Sequence, residues 1–312
     1  MGLHSGSGGL YRREAAPARP WRVANNLPPG WEGRGGGWST KSSLAHAFRP
    51  PPVYPLVLHI VVPMPFSSRR DAGVVLPCAG SGTRVGSDRP KQFLDLRAKP
   101  VFHWALSAFL EHERVAAVVL VVSPGGIEPQ ERALAQSGFA FHLASGHLRL
   151  AVGGAERWES VRNGVVALPA HCRLVAIHDV ARPFVTSSDI DEVLAAAEFD
   201  GAATLALPCP DTVKWAATLP EAGSTTAPLV ETTLDRRRVW LTQTPQAFRR
   251  EVLVGCYEQL PARQDLSPTD EASLAEAFGH KVRLVKGAQR LHKITTADDL
   301  DWARWTAEKM SA

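Results

Sequence analysis

Cysteine is scarce in this chain of 312 residues, and the four copies are Cys78, Cys172, Cys209 and Cys256. No two of them form a C-x-x-C pair, and no histidine accompanies them at the spacing of a metal site. This pattern excludes a disulfide framework and a cysteine-based zinc site. We therefore expect a reducing, cytoplasmic setting.

Long apolar runs are also lacking. The longest near the N-terminus, residues 53–64, is interrupted by Pro55, His59 and Pro63 and is too short for a membrane helix. A secretory signal core would open the chain, whereas this run follows residues 1–52. We expect no membrane segment.

An excess of positive charge is absent from most of the chain. Residues 1–70 contain nine Lys or Arg and two Asp or Glu, whereas the rest contains 26 and 29. The pI of about 9.0 therefore comes from the N-terminal residues. It does not predict that the folded part binds nucleic acid.

Residues 1–70 lack the composition of a folded domain. Roughly a third of residues 1–52 are Gly or Pro, too many for a buried core. We expect residues 1–70 to be disordered, or to be a non-native extension upstream of a start at Met64. A targeting peptide is the remaining alternative, because the segment is rich in Arg and poor in acids. In each case the folded domain is expected over residues 71–312.

From residue 73 onward, short β-branched runs alternate with helical patterns. This order predicts an α/β fold with a mainly parallel sheet and crossover helices. Strands are predicted at 73–76, 116–122, 148–152, 174–177, 202–206 and 282–285. Helices are predicted at 101–110, 157–168, 190–197, 249–259 and 297–309, the last capped by Thr295 or Thr296. Residues 211–238 break the alternation and predict a projecting β-hairpin arm.

The segment L-P-C-A-G-S-G-T-R, residues 76–84, follows the first predicted strand. Gly80 and Gly82 let backbone N–H groups converge on one point, and Arg84 and Lys91 add two cations. Val85 stands where a dinucleotide fingerprint needs its third glycine, and no Gly-Lys-Ser/Thr follows. The loop predicts a polyanion site of another kind. The alternative is a plain strand-to-helix turn.

The segment G-G-A-E-R-W-E-S follows the predicted strand 148–152. Gly154 allows close backbone approach, while Arg157 and Ser160 begin a helix whose N-terminus favours an anion or a polar base edge. A glycine-rich turn with a solvated arginine is the alternative.

The segment H-D-V-A-R-P follows the predicted strand 174–177. Asp179, a single acid at a buried strand end, is a natural ligand for Mg²⁺ that carries a triphosphate. A structural polar cluster of His178, Asp179 and Arg182 is the alternative.

Two C-terminal motifs complete the candidates. In T-D-E-A-S, Thr269 or Asp270 is predicted to cap a helix, and this role alone would explain both residues. In H-K-I-T, Lys293 follows the last predicted strand, where the fold would return it to the edge that holds Gly80. A solvated surface lysine is the alternative.

Phosphate chemistry is what these residues have in common. No Ser-His-Asp order, nucleophile elbow or close carboxylate pair stands out, so acyl chemistry and glycoside hydrolysis lack support. The candidates are one acid and five cations, namely Asp179, Arg84, Lys91, Arg157, Arg182 and Lys293. Phosphoryl or nucleotidyl transfer needs mainly positioning and charge neutralisation, which such a set provides.

Nine motifs follow one another along residues 73–307, namely P-x-A-G-x-G-x-R, P-K-Q-F, G-G-x-E-R-x-x-S-V, H-D-x-A-R-P, D-T-V-K, L-D-R-x-x-V-W, T-P-Q-A-F, T-D-E-A-S and H-K-I-T. With these motifs in this order, the chain resembles the 2-C-methyl-D-erythritol 4-phosphate cytidylyltransferase family. The resemblance implies a Rossmann-like nucleotidyltransferase three-layer sandwich whose β-arm clasps a second subunit as a homodimer. It also implies Mg²⁺ as cofactor, CTP and a polyol phosphate as substrates, and no nucleic-acid or membrane partner. The implied reaction gives 4-diphosphocytidyl-2-C-methyl-D-erythritol and pyrophosphate.

The resemblance also implies a role for each matching residue. The implied catalytic residues are Arg84, Lys91, Arg236 and Lys293. The implied nucleotide-binding residues are Ala79, Gly80, Gly82, Gly154, Arg157, Ser160 and Asp179, of which Asp179 is the metal ligand. The implied substrate-binding residues are Thr212, Arg236, Thr269 and Lys293. Arg236 lies on the arm and would reach the neighbouring subunit's site.

Two other functions stay open at this point. A ribitol 5-phosphate cytidylyltransferase would share the loop and the phosphate grip, and spacing alone does not separate the two acceptors. A regulatory nucleotide-binding protein without catalysis is disfavoured, because the cations and Asp179 are retained.

Overall fold

The computed structural model describes residues 70–80, 90–219, 226–263 and 265–310. Gly82 and Arg84 of the predicted polyanion loop lie outside the described residues. So do residues 1–69, so the prediction made for the N-terminal segment stays a prediction.

The described residues form eleven strands and eight α-helices. The strands are β1 (Ala72–Pro77), β2 (Asp95–Leu96), β3 (Lys99–Pro100), β4 (Val115–Val122), β5 (Leu148–Val152), β6 (Leu174–Ile177), β7 (Ala202–Pro208), β8 (Lys214–Ala216), β9 (Val230–Thr233), β10 (Trp240–Arg249) and β11 (Arg283–Lys286). The helices are α1 (Val101–Leu110), α2 (Ile127–Leu134), α3 (Ala140–Ala144), α4 (Arg157–Ala167), α5 (Ser187–Asp200), α6 (Arg250–Gln259), α7 (Glu271–Ala277) and α8 (Ala297–Met310).

Seven of the strands form one sheet in the order β11-β7-β10-β6-β1-β4-β5. β1 pairs in parallel with β4 and β6, β4 with β5, and β7 with β11, whereas β10 runs antiparallel between β6 and β7. Six strands therefore end at the same edge, which we call the carboxyl edge. Ligands of open α/β sheets bind at this edge. The predicted α/β fold with a mainly parallel sheet is confirmed.

The central strands are buried on both faces, as expected of parallel strands covered by helices. Val74 and Val75 of β1 point to opposite faces, and both are fully buried. One apolar cluster joins the sheet to α1 and α5, and the other joins it to α4, α6 and α7. Gly164 lets α4 approach β1, because a Cβ there would clash with the Val75 side chain. The result is three layers.

Most predicted elements match the structure, and the largest omission is β10. The strands at 148–152 and 174–177 and the helix at 101–110 agree with their predicted bounds, and Thr296 caps α8 by accepting from the Asp299 N–H (3.2 Å). β10 escaped prediction because its T-Q-T-P-Q segment is polar and contains Pro245, which argues against a central strand. α2 and α3, after β4, were also missed.

The predicted arm is a two-stranded antiparallel ribbon. β8 pairs with β9 through Lys214 and Thr233, and every residue of both strands is exposed. The arm leaves the main sheet where Trp240 of β10 pairs with Pro208 of β7. Because the arm lies beyond the main sheet, its two strands have no buried apolar core among the described residues.

Candidate active site

Asp179 lies at the centre of the charged groups on the carboxyl edge. It follows β6 by two residues, and its Oδ2 accepts a hydrogen bond from Lys293 Nζ at 2.7 Å. Arg182 Nε lies 3.8 Å from the same oxygen, and Arg157 Nη2 lies 3.9 Å from Oδ1. Burial by itself would raise the pKa of Asp179, but the three cations outweigh it and lower the pKa to about 2. Asp179 is therefore an anion at neutral pH.

Lys293 is held by hydrogen bonds to the backbone on both sides of it. Arg182 Nη1 donates to Leu291 O (2.7 Å), and Ile294 N donates to Ala181 O (2.9 Å). Lys91 Nζ donates to Ile294 O (2.8 Å). The structure therefore brings Lys91 and Lys293, two predicted catalytic cations, close together from distant parts of the chain.

The beginning of the polyanion loop is fixed by Gln92, which sequence reasoning missed. Its buried side-chain amide donates to Cys78 O (3.0 Å) and to Gly80 O (2.9 Å). The signal was its place in P-K-Q-F, directly after Lys91. Burial raises the pKa of the Cys78 thiol to about 12, so Cys78 packs as a neutral side chain.

The loop after β5 packs against the loop after β1. A Cβ on Gly153 would lie 3.0 Å from Ala79 Cβ and 3.0 Å from Ser160 Oγ, so only glycine fits without displacing a neighbour. Ser160 Oγ accepts from Gly154 N (3.0 Å) and donates to the helix carbonyl of Glu156 (3.2 Å). The predicted nucleotide-binding residues Ala79, Gly154 and Ser160 are thus packed together around Gly153.

Arg157 is paired with a carboxylate that the sequence had marked only as part of a helix start. Its Nη1 donates to both carboxylate oxygens of Glu271, each at 2.9 Å. The Glu271 side chain is 2 % exposed, and Tyr257 OH lies 3.5 Å from its Oε1. Although burial disfavours the charge of Arg157, Glu271 and Asp179 raise its pKa. Arg157 therefore lies between two acids as a permanent cation.

Strand β10 supplies three buried polar side chains that hold three different loops of this edge. Gln243 pairs with the backbone of Ala288, accepting from its N (3.2 Å) and donating to its O (3.0 Å). Gln246 accepts from Ala272 N (3.0 Å) and donates to Asp270 Oδ2 (2.8 Å) at the start of α7. Thr244 lies between them and accepts from Asp179 N (3.0 Å). None of the three was a predicted site residue.

Two predicted substrate residues lie on the arm and two near α7 and β11. Thr212 and Arg236 are exposed, and Arg236 Nη1 donates to Pro210 O (2.7 Å) at the base of the arm. Thr269 is exposed directly before Asp270, which caps α7. Within the described residues, no hydrogen bond or ion pair joins Thr212 or Arg236 to Asp179 or Lys293. One chain therefore brings the strand-end residues together but not the arm residues.

A second concavity lies at the opposite edge of the sheet. This cavity of about 650 Å³ is lined in part by Arg173, Arg249 and Arg250. Arg249 donates to the carbonyls of Glu198 and Phe199 at the end of α5, and Arg250 donates to carbonyls at the end of α4. Arg249 and Arg250 thus bind carbonyls at helix ends, and Arg173 pairs with Asp71, so the cations of this cavity are engaged within the protein.

The described residues offer Asp179 as the candidate ligand for a magnesium ion. They contain no cluster of three His, Cys, Asp or Glu side chains that could hold a metal. Asp179 alone suits Mg²⁺, which binds through one or two carboxylates together with substrate phosphates. Its Oδ1 is the candidate ligand, since Oδ2 is bonded to Lys293.

Comparisons with known proteins agree on one family. The family model for IspD, 2-C-methyl-D-erythritol 4-phosphate cytidylyltransferase, matches residues 72–309. A relative with that name from Pelotomaculum thermopropionicum is 39% identical over 227 residues, which cover 72% of this chain and 90% of the relative. A 2-C-methyl-D-erythritol 4-phosphate cytidylyltransferase from Thermus thermophilus, known as a crystal structure, aligns with a TM-score of 0.58 and 31% identity, covering 76% of this chain and 98% of that one.

A longer relative also matches. The bifunctional enzyme IspD/IspF from Desulforudis audaxviator is 42% identical over 234 residues, which cover 75% of this chain but 56% of that enzyme. The chain thus spans little more than half the length of this relative.

None of the helices in the described part of the chain has the length and apolar character needed to cross a bilayer.

Proposed function

The chain belongs to the 2-C-methyl-D-erythritol 4-phosphate cytidylyltransferase family, and on that premise we propose that it transfers a cytidylyl group from CTP to 2-C-methyl-D-erythritol 4-phosphate. The products are 4-diphosphocytidyl-2-C-methyl-D-erythritol and pyrophosphate, within the non-mevalonate isoprenoid pathway. The observation that carries the proposal is the cluster of Arg157, Arg182 and Lys293 around the ionised Asp179, with Lys91 bound to the carbonyl of Ile294 next to Lys293.

The reaction needs no general base. An oxygen of the acceptor phosphate, already anionic at neutral pH, forms a bond to the α-phosphorus of CTP. The bond from the α-phosphorus to the β-phosphate oxygen breaks, and pyrophosphate leaves with its electron pair. The barrier lies in bringing two polyanions together, so fixed cations are the residues that such a site requires.

The cations divide into two groups by their proposed roles. Lys91, with Arg84 from the preceding loop, neutralises charge on the α-phosphate and the leaving pyrophosphate. Lys293, 2.7 Å from Asp179, binds the acceptor phosphate beside them. Because Lys91 donates to the carbonyl of Ile294, the two groups are joined through one backbone segment and hold the reactants in line.

Asp179 would hold Mg²⁺, which would supply charge neutralisation for the triphosphate. The low pKa of Asp179 keeps it ionised for this role at neutral pH. Arg157 and Arg182 flank the same carboxylate and limit its motion.

The nucleoside binds over the loops after β1 and β5. Ala79, Gly80 and Gly82 form the phosphate loop, and Gly154 and Ser160 lie beside the cytosine and ribose. Gly154 packs closely against Glu159, where a Cβ would clash, and its N–H donates to Ser160 Oγ. Arg157 is committed to Glu271 and shapes this pocket through its ion pair.

The working enzyme is a homodimer joined through the arm. An isolated two-stranded ribbon is marginally stable in water, yet this arm exposes Trp215 (53 %) and Leu229 (83 %). A second copy of the chain would cover these side chains. It would also bring Thr212 and Arg236 to the partner's acceptor phosphate, which explains why one chain separates them from Lys293.

A cytoplasmic location is supported by the thiols. All four cysteines are free, three of them buried, which suits a reducing compartment.

Pyrophosphate release tests the proposal. The protein is incubated with CTP, Mg²⁺ and either 2-C-methyl-D-erythritol 4-phosphate or ribitol 5-phosphate, with omission of Mg²⁺ as the control. We expect turnover with the methylerythritol acceptor only. Turnover with ribitol 5-phosphate alone would replace the proposed acceptor, and no turnover with either would reject the enzyme.

A further inference from the structure

His178 is a buried titratable residue that the proposed reaction does not use. It stands between β6 and Asp179, is fully buried, and packs its ring edge-on against Phe109 with 5.1 Å between ring centroids. A side chain with no exposed atoms does not touch substrate. Its two ring nitrogens nevertheless contact the backbone or side chains of residues in the active site.

The positions of its protons follow from its partners. His178 Nε2 lies 2.9 Å from Arg182 O, and because a carbonyl only accepts, Nε2 carries the proton. His178 Nδ1 lies 3.2 Å from Thr244 Oγ1, and in the neutral ring this nitrogen accepts from the hydroxyl. Thr244 Oγ1 in turn accepts from Asp179 N at 3.0 Å. Asp179, Thr244, His178 and Arg182 thus form one chain of hydrogen bonds with a single direction.

This chain connects both ends of the turn that carries the charged pair. It begins at the backbone N–H of Asp179 and ends at the carbonyl of Arg182, whose own N–H donates back to Asp179 O (2.9 Å). The side chains of the same two residues meet at 3.8 Å over the active site. Thr244 anchors the turn to β10, so the rigid sheet fixes where both charges lie.

We propose that His178 is a positioning residue, which sets the place of the Asp179 carboxylate and the Arg182 guanidinium by closing this turn against Thr244. The proposal rests on the proposed function for its effect on rate, but not for its effect on the turn. A shift of about 1 Å in a reacting arrangement costs on the order of a hundredfold in rate. Loss of these hydrogen bonds is therefore expected to lower kcat rather than to weaken CTP binding.

Three variants separate positioning from stability. His178→Asn keeps an acceptor for Thr244 but is too short to reach Arg182 O, whereas His178→Gln places an amide N–H near the position of Nε2. The matched control is His112→Asn, because His112 is also buried and lies before β4, at the edge opposite the active site. Each variant is assayed for kcat, KM for CTP and thermal unfolding.

We expect H178N to lower kcat by roughly 30-fold or more with KM for CTP within about threefold, and H178Q, which restores the donor to Arg182 O, to recover part of kcat. H112N should lose thermal stability and keep kcat. A folded H178N protein with the kcat of the wild type overturns the proposal.

Thr244→Val provides a second break in the same chain, with Thr244→Ser, which keeps the hydroxyl, as its control. We expect T244V to lower kcat as H178N does, and the double variant to be no slower than the slower single variant, because both changes break one unit. Multiplicative losses would overturn the proposal. If H178N does not fold, T244V with unchanged kcat has the same consequence.

Amide hydrogen exchange at Asp179 tests the turn without any substrate. In the ligand-free protein, H178N and T244V should exchange this amide about tenfold faster than wild type, while H112N leaves it unchanged. This result supports the positioning role even if the wild type fails to transfer a cytidylyl group, so the two proposals fail separately. Unchanged exchange in both variants would overturn the positioning role.

Discussion

Lys293 Nζ lies 2.7 Å from Asp179 Oδ2, although 114 residues separate them in the chain. Asp179 follows β6 and Lys293 follows β11, so the pair exists because parallel strands place their carboxyl ends at one edge. Arg182 joins them by donating to Leu291 O while facing Asp179. Asp179 and Lys293 therefore act as one electrostatic unit.

The lowered pKa of Asp179 predicts that the stability of the fold depends on pH. Its pKa in the folded protein is about 2, against an ordinary value of 3.8, so its charge stabilises the fold fully above pH about 4. The contribution, about 2 kcal/mol in the free energy of unfolding, is lost as the pH falls from 4 toward 2. In urea unfolding, Asp179→Asn should therefore differ from wild type by about this amount at pH 5 and by much less at pH 2.5.

Asp301→Asn is the control for that measurement, because Asp301 forms an exposed pair with Arg304. It should change stability little at either pH, as exposed pairs contribute little. A difference between Asp179→Asn and wild type that stays constant from pH 5 to pH 2.5 would contradict the assignment of the pKa.

Replacement of Lys91 is expected to slow the chemical step. Lys91→Ala should lower kcat by about 10² to 10³ while changing the Kd of CTP much less, because its charge acts chiefly in the transition state. Lys281→Ala is the control, since Lys281 is exposed before β11, at the opposite edge. Pre-steady-state pyrophosphate release and CTP titration measure the two effects. Equal losses in rate and affinity would show ground-state binding instead.

The position of Arg236 on the arm predicts that each active site is formed by two subunits. Arg236→Ala should mainly raise KM for the acceptor, whereas Arg237→Ala, which removes an arginine paired with Asp235 on the same turn, should not. Mixing the Arg236 and Lys91 variants should restore roughly a quarter of the wild-type activity, because half of the dimers then contain one intact site. An activity that does not rise on mixing argues against a cross-subunit role.

Removal of residues 1–63 tests the predicted domain boundary. Because their composition does not predict a buried core, the truncated protein should keep kcat and its thermal unfolding midpoint within about 2 °C. Truncated protein that is insoluble or less stable would show that these residues contribute to the fold.

The sequence predicted the strand-end residues because their chemistry is local. Asp179 and Lys293 each follow a short β-branched run, and the parallel topology places the ends of both runs at one edge of the sheet. Arg157 was recognised as a cation, but its partner Glu271 was seen only as part of a helix start. A pairing between α4 and α7 depends on tertiary packing, which no spacing in the sequence encodes.

β10 shows why a strand can escape prediction. Its residues 242–246, T-Q-T-P-Q, lack the apolar alternation of a half-buried strand and include a proline. The burial of Gln243 and Gln246 is stabilised by hydrogen bonds to loops that are distant in sequence, from Gln243 to Ala288 and from Gln246 to Ala272. The polar residues of this central strand therefore hold loops of the candidate active site in place. The sequence pattern does not reveal this role, because the loop residues that they bind are distant in the chain.

Gln246 offers the sharpest test of that support. Gln246→Met fills a similar volume but removes the acceptor of the buried Ala272 N–H and the donor to Asp270, so the free energy of unfolding should fall by about 2–4 kcal/mol. KM for the acceptor should also rise, because Thr269, a predicted substrate-binding residue, lies directly before Asp270, the cap of α7. Gln259→Met, which removes an exposed hydrogen bond to Gly255 O, should change both quantities little. If Gln246→Met unfolds at the same urea concentration as wild type, the α7 start is held by its own capping box, formed by Asp270 and Ser273, rather than by β10.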